Sequence, residues 1–353
     1  MKRSVCIDAR FWGIKHTGIG RYVENLIDNL PADPNVKVVL IVHPEQENEP
    51  KLARFEKYYA KYHPYSVAAQ FEMLWLLTEI KPNLTHFTHF FLPVLWPGKF
   101  IVTIHDLIKH YWADLSATTR NPIVYLVKHV GYRITVFVAV KRAVRIIVPA
   151  NYWKKELVKR YNLDAGKISV TYEGAYPYKV SPYKDRTGSY LLYVGNLYPH
   201  KNIPILIEVV EKLKINLKIV CARNVFENRL PKSSFVQYLG RVTDEELTNL
   251  YKNALCFVFP SLIEGFGLPG LEAMAAGLPV IAARASCLPE IYEDAALFFD
   301  PHDPVDLGDK ILSIKSDPLL RKSLITAGHR QVKKYSWAKM ARQTWQIYLQ
   351  ELH

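Results

Sequence analysis

The chain has 353 residues, enough at about 150 residues per domain for two domains that each bury a core. Lys and Arg number 46 against 33 Asp and Glu, a formal net charge of +13, which keeps three partners open: nucleic acid, an anionic membrane surface and a phosphorylated substrate. With 49% hydrophobic and 22% charged residues and no low-complexity tract, the composition excludes a disordered or fibrous protein.

Short apolar runs alternate with helical patterns from end to end, the signature of parallel βαβ units. In the first half the predicted strands are residues 4–9, 36–42, 84–87, 100–104, 145–148 and 168–171, with helices over 20–30 and within 118–142. The second of these helices contains the longest apolar stretch, 122–140. It is interrupted by Lys128, His129 and Arg133, so it reads as a helix with a basic face and not as a membrane span. The segment YEGAYPYKVSPYKDRTGS after Thr171 reads as a linker. Beyond it the pattern restarts, with strands over 190–194, 217–221, 235–239, 255–259, 279–282 and 296–299. The last helix, 336–349, carries Trp337, Met340, Ala341, Trp345 and Tyr348 near helical spacing, an apolar face that needs a partner.

The predicted fold is α/β: two Rossmann-like doubly wound domains, residues 1–175 and 176–335, facing across a cleft. The helix over 336–353 is expected to cross back to the first domain. Cys6, Cys221, Cys256 and Cys287 are far apart, and the first three sit in apolar runs, as thiols do when they pack as small hydrophobes in a reducing compartment. The opening MKRSVCIDAR has no apolar run of a secretory signal, so a cytoplasmic location is expected, peripheral on the inner face of the membrane.

Four loops lie just after carboxyl ends of predicted strands, where open α/β sheets place their ligands. The first, TGIGRY over 17–22, puts glycines at a helix entrance, where amides approach an anion, and makes Gly20 and Arg21 candidates for diphosphate contact. The second is His105-Asp106. The third, GNLYPHKN over 195–202, offers Gly195, Asn196, His200 and Lys201, the lysine as a point charge for a phosphate. The fourth and most specific places Glu264 and Glu272 with seven residues between them, among these Gly265, Phe266, Gly267 and Leu268. Glu264 in the loop is set to reach a sugar hydroxyl, Glu272 one turn into a helix to accept from ribose hydroxyls, and the amides between them to face an oxygen.

With these segments in place, the chain resembles the retaining, nucleotide-sugar-dependent glycosyltransferases of family 4, which have the two-domain GT-B fold, and it is most similar to mannosyltransferase-like members. The resemblance implies that Gly20 lies near the donor diphosphate, His105 lines the donor sugar, Lys201 neutralises the diphosphate, Glu264 binds sugar hydroxyls and Glu272 the ribose. The base is then expected beside Gly240, Arg241 and Val242. Many relatives carry Arg before the lysine where this chain has His200, so cationic support for the leaving group depends on His200 protonation or falls to Arg21.

The implied activity moves a hexose, mannose from GDP-mannose first, from a nucleotide-diphosphate sugar to a glycan or lipid-linked acceptor. No cofactor is implied beyond the GDP- or UDP-linked co-substrate. The same-fold alternatives are a UDP-glucose-type transferase and a sucrose- or trehalose-type synthase or phosphorylase; a basic nucleic-acid-binding protein is the distant one. No Asp-x-Asp occurs, so compensation of the leaving diphosphate is expected without metal. Asp300, Asp303, Asp306 and Asp309 recur every three residues, but Asp303-Pro304 reads as a helix start. Glu264→Ala and Lys201→Ala are expected to abolish transfer and to leave the fold intact.

Residues 1–180 hold 25 Lys plus Arg and 15 Asp plus Glu, net +10, leaving +3 for the rest. The basic run 141–160, with Trp112, Tyr132 and Tyr152 nearby, suits an anionic bilayer or a polyprenyl-diphosphate acceptor. Zinc spacings, RNA-binding aromatic signatures and basic-zipper patterns are absent from the sequence, so no nucleic-acid partner is expected.

Overall fold

The structure, a computed structural model, describes residues 2–13, 18–112, 122–175, 188–221 and 226–352. They sort into two compact units, one drawn from 1–107, 120–174 and 336–353 and the other from 108–119 and 175–335. Most of the predicted linker, Thr17, and the start of the predicted long helix lie outside the described residues.

The first unit is built on a seven-stranded sheet: β1 (Arg3–Asp8), β2 (Val36–Val42), β3 (Glu56–Tyr59), β4 (Leu84–Phe87), β5 (Phe100–Thr103), β6 (Arg145–Val148) and β7 (Ile168–Val170). The order is β3-β2-β1-β4-β5-β6-β7, with every pairing parallel. Strands β4 and β5 are buried at every residue, as central strands of a parallel sheet covered on both faces are. The chain winds outward from β1 in one direction through β2 and β3, then returns to continue from β4. The crevice between the carboxyl ends of β1 and β4 is therefore a topological switch point.

Helices α1 (Gly18–Asp28), α2 (Val67–Ile80), α4 (Pro122–Arg142) and α5 (Asn151–Tyr161) cover this sheet. So does α12 (Trp337–Leu352), which comes from the far end of the chain and packs on α1 and β4. Its Tyr348 hydroxyl meets His86 Nδ1 of β4 at 2.5 Å, and His86 Nε2 meets Thr103 Oγ1 at 2.8 Å. The aromatic face read in the sequence is thus buried on the first unit.

Strand β3 was not among the predicted strands. Its residues, EKYY, have no apolar run, because an edge strand presents its outer side to water. Its exposed Glu56 pairs with Lys37 of β2 at 2.5 Å.

The second unit holds β8 (Tyr190–Val194), β9 (Asn216–Val220), β10 (Val236–Gly240), β11 (Cys256–Phe259), β12 (Val280–Ala283) and β13 (Ala296–Phe299). They form an all-parallel sheet in the order β10-β9-β8-β11-β12-β13, the doubly wound order with its switch point between β8 and β11. Helices α3 (Ile108–Tyr111), α6 (Ile203–Leu213), α7 (Asp244–Asn253), α8 (Leu268–Ala275), α9 (Leu288–Tyr292), α10 (Pro304–Ser316) and α11 (Pro318–Val332) belong to it. Asp303 caps α10 by accepting from the amides of Val305 and Asp306, while Asp306 pairs with Lys310. The repeating aspartates thus shape a helix start.

Candidate active site

In the second unit the site grows out of the two strand ends that flank the switch point. After β8 the chain turns at Gly195, whose φ of 155° belongs to glycine. A Cβ there would lie 2.7 Å from the Tyr193 hydroxyl, which donates to the Asn196 carbonyl. Asn196 Oδ1 accepts from the Tyr198 amide, and a single 3₁₀ turn, Pro199–Lys201, delivers Lys201 to the start of α6. The loop after β11 is stitched to this turn, because the Leu262 amide donates to the His200 carbonyl.

That stitch brings Lys201 and Glu264, 63 positions apart, into one ion pair of 2.5 Å with both residues buried. The Lys201 ammonium also lies 5.6 Å from the centre of the Phe259 ring, an added stabilisation for a desolvated cation. The backbone of Glu264 is clamped by the turn after β12. Its amide donates to Ser286 Oγ, and the Cys287 thiol donates to its carbonyl.

The glycines beyond Glu264 answer to a neighbour. The Tyr292 hydroxyl donates to the Gly267 carbonyl at 2.6 Å, and burial raises that phenol well above its ordinary range, so it stays a donor. A Cβ on Gly270 would lie 2.2 Å from the same hydroxyl, and one on Gly267 2.6 Å, where φ is also 97°. Gly267 and Gly270 are therefore required by the approach of Tyr292, a reason the sequence reading, which set the amides around Gly267 toward a ligand oxygen, did not see. Phe266 packs its ring edge-on against Tyr335. Glu272 is buried on α8 and accepts from the Tyr251 hydroxyl at 3.5 Å. Gly240, Arg241 and Val242 lie at the carboxyl end of the edge strand β10, before the capping box of α7.

Two expectations need correction. His200 sits between the rings of Trp112 and Tyr198, and burial, aided by Lys201, holds it down at about 3. It is neutral near pH 7 and supplies no charge to a leaving group. Lys201 and Glu264 form a buried pair, so truncating either strands the other's charge inside the protein, and the fold does not stay indifferent to either alanine.

In the first unit the carboxyl strand ends hold a second assembly. Asp8, closing β1, accepts two bonds from the Arg10 guanidinium at 2.8 and 2.7 Å, and both residues are buried. The Thr88 hydroxyl donates to the Asp8 carbonyl, and His105 Nε2 lies 3.0 Å from the Thr88 carbonyl. That carbonyl only accepts, so Nε2 carries a proton. Nδ1 faces Glu173 Oε1 at 3.4 Å, and the Tyr22 ring of α1 meets the imidazole edge-on. Gly20 is buried inside the first turn of α1, with Arg21 beside it half-buried, so the glycines predicted at a helix entrance lie within the helix itself.

Asp8, Arg10, Glu173, Ser286 and Tyr292 were missed by sequence reasoning. A signal existed for the first two, charges placed immediately after an apolar strand. Among the described residues no cluster of three His, Cys, Asp or Glu side chains suited to a metal ion occurs.

Comparison with known proteins agrees with this geometry. The model of Glycosyltransferase Family 4 matches residues 16–176, and that of Glycosyl transferases group 1 matches 178–331. The O-antigen chain mannosyltransferase B of Escherichia coli is 27% identical over 94% of this chain and 96% of its own length. The O-antigen chain mannosyltransferase RfbU of Salmonella typhimurium is 31% identical over 65% of this chain and 64% of its own. The structure of Anabaena HepE in complex with UDP-glucose superposes with a TM-score of 0.74 over 98% of this chain and 99% of that one, at 16% identity. Two matched domains that span most of the chain, on two parallel sheets with paired switch-point loops, make this protein a hexosyltransferase of glycosyltransferase family 4, with the GT-B fold.

Proposed function

We propose that the protein transfers mannose from GDP-mannose, with retention of configuration and without a metal, to a glycan or lipid-linked acceptor in cell-surface polysaccharide synthesis. The observation that carries the donor reading is the buried Lys201–Glu264 pair at the β8–β11 switch point. The choice of mannose is supported by the mannosyltransferases to which the chain is similar.

In the unliganded protein each charge of the pair compensates the other, which avoids the cost of burying either alone. An arriving diphosphate competes for the Lys201 ammonium and frees Glu264 to accept hydrogen bonds from sugar hydroxyls. Glu272, anchored by Tyr251, takes the ribose hydroxyls, and Gly240, Arg241 and Val242 border the base. In the transfer step the C1–O bond to the diphosphate breaks and its electron pair leaves with the phosphate. The acceptor oxygen bonds to C1, and its proton passes to the departing phosphate oxygen. Lys201 and the amides around Phe266 stabilise the developing charge. His105, fixed by Thr88 and Glu173, is assigned to the reacting sugar by the family resemblance. A cytoplasmic setting belongs to the same proposal and is supported by four buried cysteines, none of them in a disulfide.

A screen of GDP-mannose, UDP-glucose and UDP-galactose by donor hydrolysis and by transfer to lipid-linked acceptors tests this. Turnover confined to GDP-mannose is expected. Turnover with UDP-glucose alone refutes the mannose reading and favours the glucosyl one.

A further inference from the structure

We propose that the outer face of α4, continued by a row on α2, is a docking surface for an anionic lipid bilayer and holds the first unit in the membrane interface. The sequence pointed to the basic run 141–160 with Tyr132 as one of its aromatics, but Tyr132 is buried against the unit. The apolar surface lies instead on the opposite side of α4. Ile123, Val127, Val130, Ile134 and Phe137 recur at steps of four and three residues, so they share one face. They are 73, 67, 50, 53 and 53% exposed. A surface helix of a soluble domain turns such a stripe inward; here Tyr132, Val136, Ala139 and Val140 already fill the inward side, so the stripe is surplus to the core.

The patch extends beyond one helix. Arg142 at the end of α4 donates to the carbonyls of Val94 and Trp96, and Gln70 of α2 bonds Leu92 and Val94 of the same turn. Between these two grips Leu95 is 71% exposed. On α2 the exposed Val67, Phe71 and Trp75 follow at four-residue steps, so an indole stands on this surface, as at membrane–water boundaries.

Charge selects the occupant. From residue 115 to residue 155 the chain has eight Lys or Arg and no Asp or Glu. At 100° per residue Arg133 and Arg142 fall on the two borders of the α4 stripe and Lys141 at its end. Lys141 donates to the Tyr161 carbonyl, which ties this end to the basic helix α5. Two copies of this face would bring like charges together, whereas anionic headgroups meet Arg133, Lys141 and Arg142 with opposite charge. Among the described residues α4 is the one helix long and apolar enough to cross a membrane. Its inward side is packed against β5, however, so leaving the unit would open the core, and the helix lies on the bilayer with its stripe among the acyl chains.

The inference rests on the lipid-linked acceptor reading for its setting only. Flotation of the full chain with phosphatidylcholine vesicles, with and without phosphatidylglycerol, tests it, with nucleotide-sugar hydrolysis measured in parallel. The expected result is binding to the anionic vesicles alone, weakened by salt. It falls about tenfold or more in Ile134→Asp/Phe137→Asp and loses its salt dependence in Arg133→Glu/Lys141→Glu, with hydrolysis unchanged in both. Failure of the wild-type chain to float at low salt overturns the proposal. So does equal flotation of the Asp variant, or a wild-type dimer that this variant converts to a monomer. Absence of hydrolysis with every nucleotide sugar while flotation persists defeats the donor reading and leaves the docking surface standing.

Discussion

The two units share a plan, a parallel sheet with a switch point whose strand ends carry buried charge, but they compensate that charge differently. In the second unit Lys201 and Glu264 come from loops after β8 and β11 and meet in one ion pair. In the first, Asp8 is satisfied two residues away by Arg10, and His105 is held between Thr88 and Glu173 from the ends of β4 and β7. A pair joined across two loops is broken by any ligand that competes for one partner. A pair closed locally, as Asp8–Arg10 is, stays shut and fixes the backbone around it. The second unit is thus built to exchange partners and the first to hold position.

The largest expected effect breaks the exchanging pair. Glu264→Gln and Lys201→Met should each lower transfer at least about a thousandfold. Each also leaves a buried charge alone and should cost about 3–5 kcal/mol of stability. The double variant should cost less than the sum, because no charge is then left behind. Turnover together with thermal unfolding across the double-mutant cycle checks this; additive stability losses would mean that the two side chains do not share an ion pair.

Next comes the holding side. Glu173→Gln keeps the shape beside His105 but removes the charge, and should lower kcat about 10- to 100-fold with little change in donor KM. If KM rises and kcat holds, Glu173 serves donor binding and does not position the imidazole.

How far these assemblies can be read in the sequence follows from where their residues sit. Glu264 and Glu272 lie on one continuous strand-loop-helix segment, and Lys201 sits in a loop whose residue types announce a turn, so the donor half is legible in one dimension. That Lys201 touches Glu264 depends on β8 and β11 being neighbours, which only the crossover order provides. The assembly around His105 draws on the ends of four strands and on Tyr22 of α1, and no spacing rule links them. Burial is the other hidden variable. His200 was offered, beside Arg21, as a candidate cation because its residue type permits it, and Tyr132 as a surface aromatic because charges surround it. Both are set by packing that the pattern does not show. The strands were legible where they carry an apolar run, the edge strands β7 and β10 included, and β3, whose EKYY has none, was not.

A smaller effect probes the walls of the exchanging site. Gly270→Ala forces a methyl against the Tyr292 hydroxyl and should cost about 1–3 kcal/mol. Tyr292→Phe in the same background should recover part of this by removing the clashing oxygen, at the loss of the bond to the Gly267 carbonyl. Urea unfolding of the single and double variants distinguishes the contact from a general intolerance of α8.

The gentlest comparison uses protons, since each unit has a histidine that its surroundings hold well below the ordinary imidazole range. His86, lowered by burial and by His105, and His200, lowered by burial and by Lys201, both titrate at about 3 in the folded protein, against about 6.5 in an unfolded chain. Between those values the unfolded state binds more protons. The stabilisation is therefore complete above about pH 6.5 and is lost as pH falls toward 3, by about 1.4 kcal/mol per pH unit for each histidine. His200→Gln should flatten the acid dependence of the second unit alone. His86 accepts or donates at both ring nitrogens, to Tyr348 and Thr103, so its protonation also forces one of these hydroxyls to reorient. Acid should therefore loosen α12 from the first unit before it disturbs the Lys201–Glu264 loops, and amide hydrogen exchange on α12 and α6 at pH 5 reads the order directly. If α6 opens first, protonation of His86 is not what governs the docking of α12.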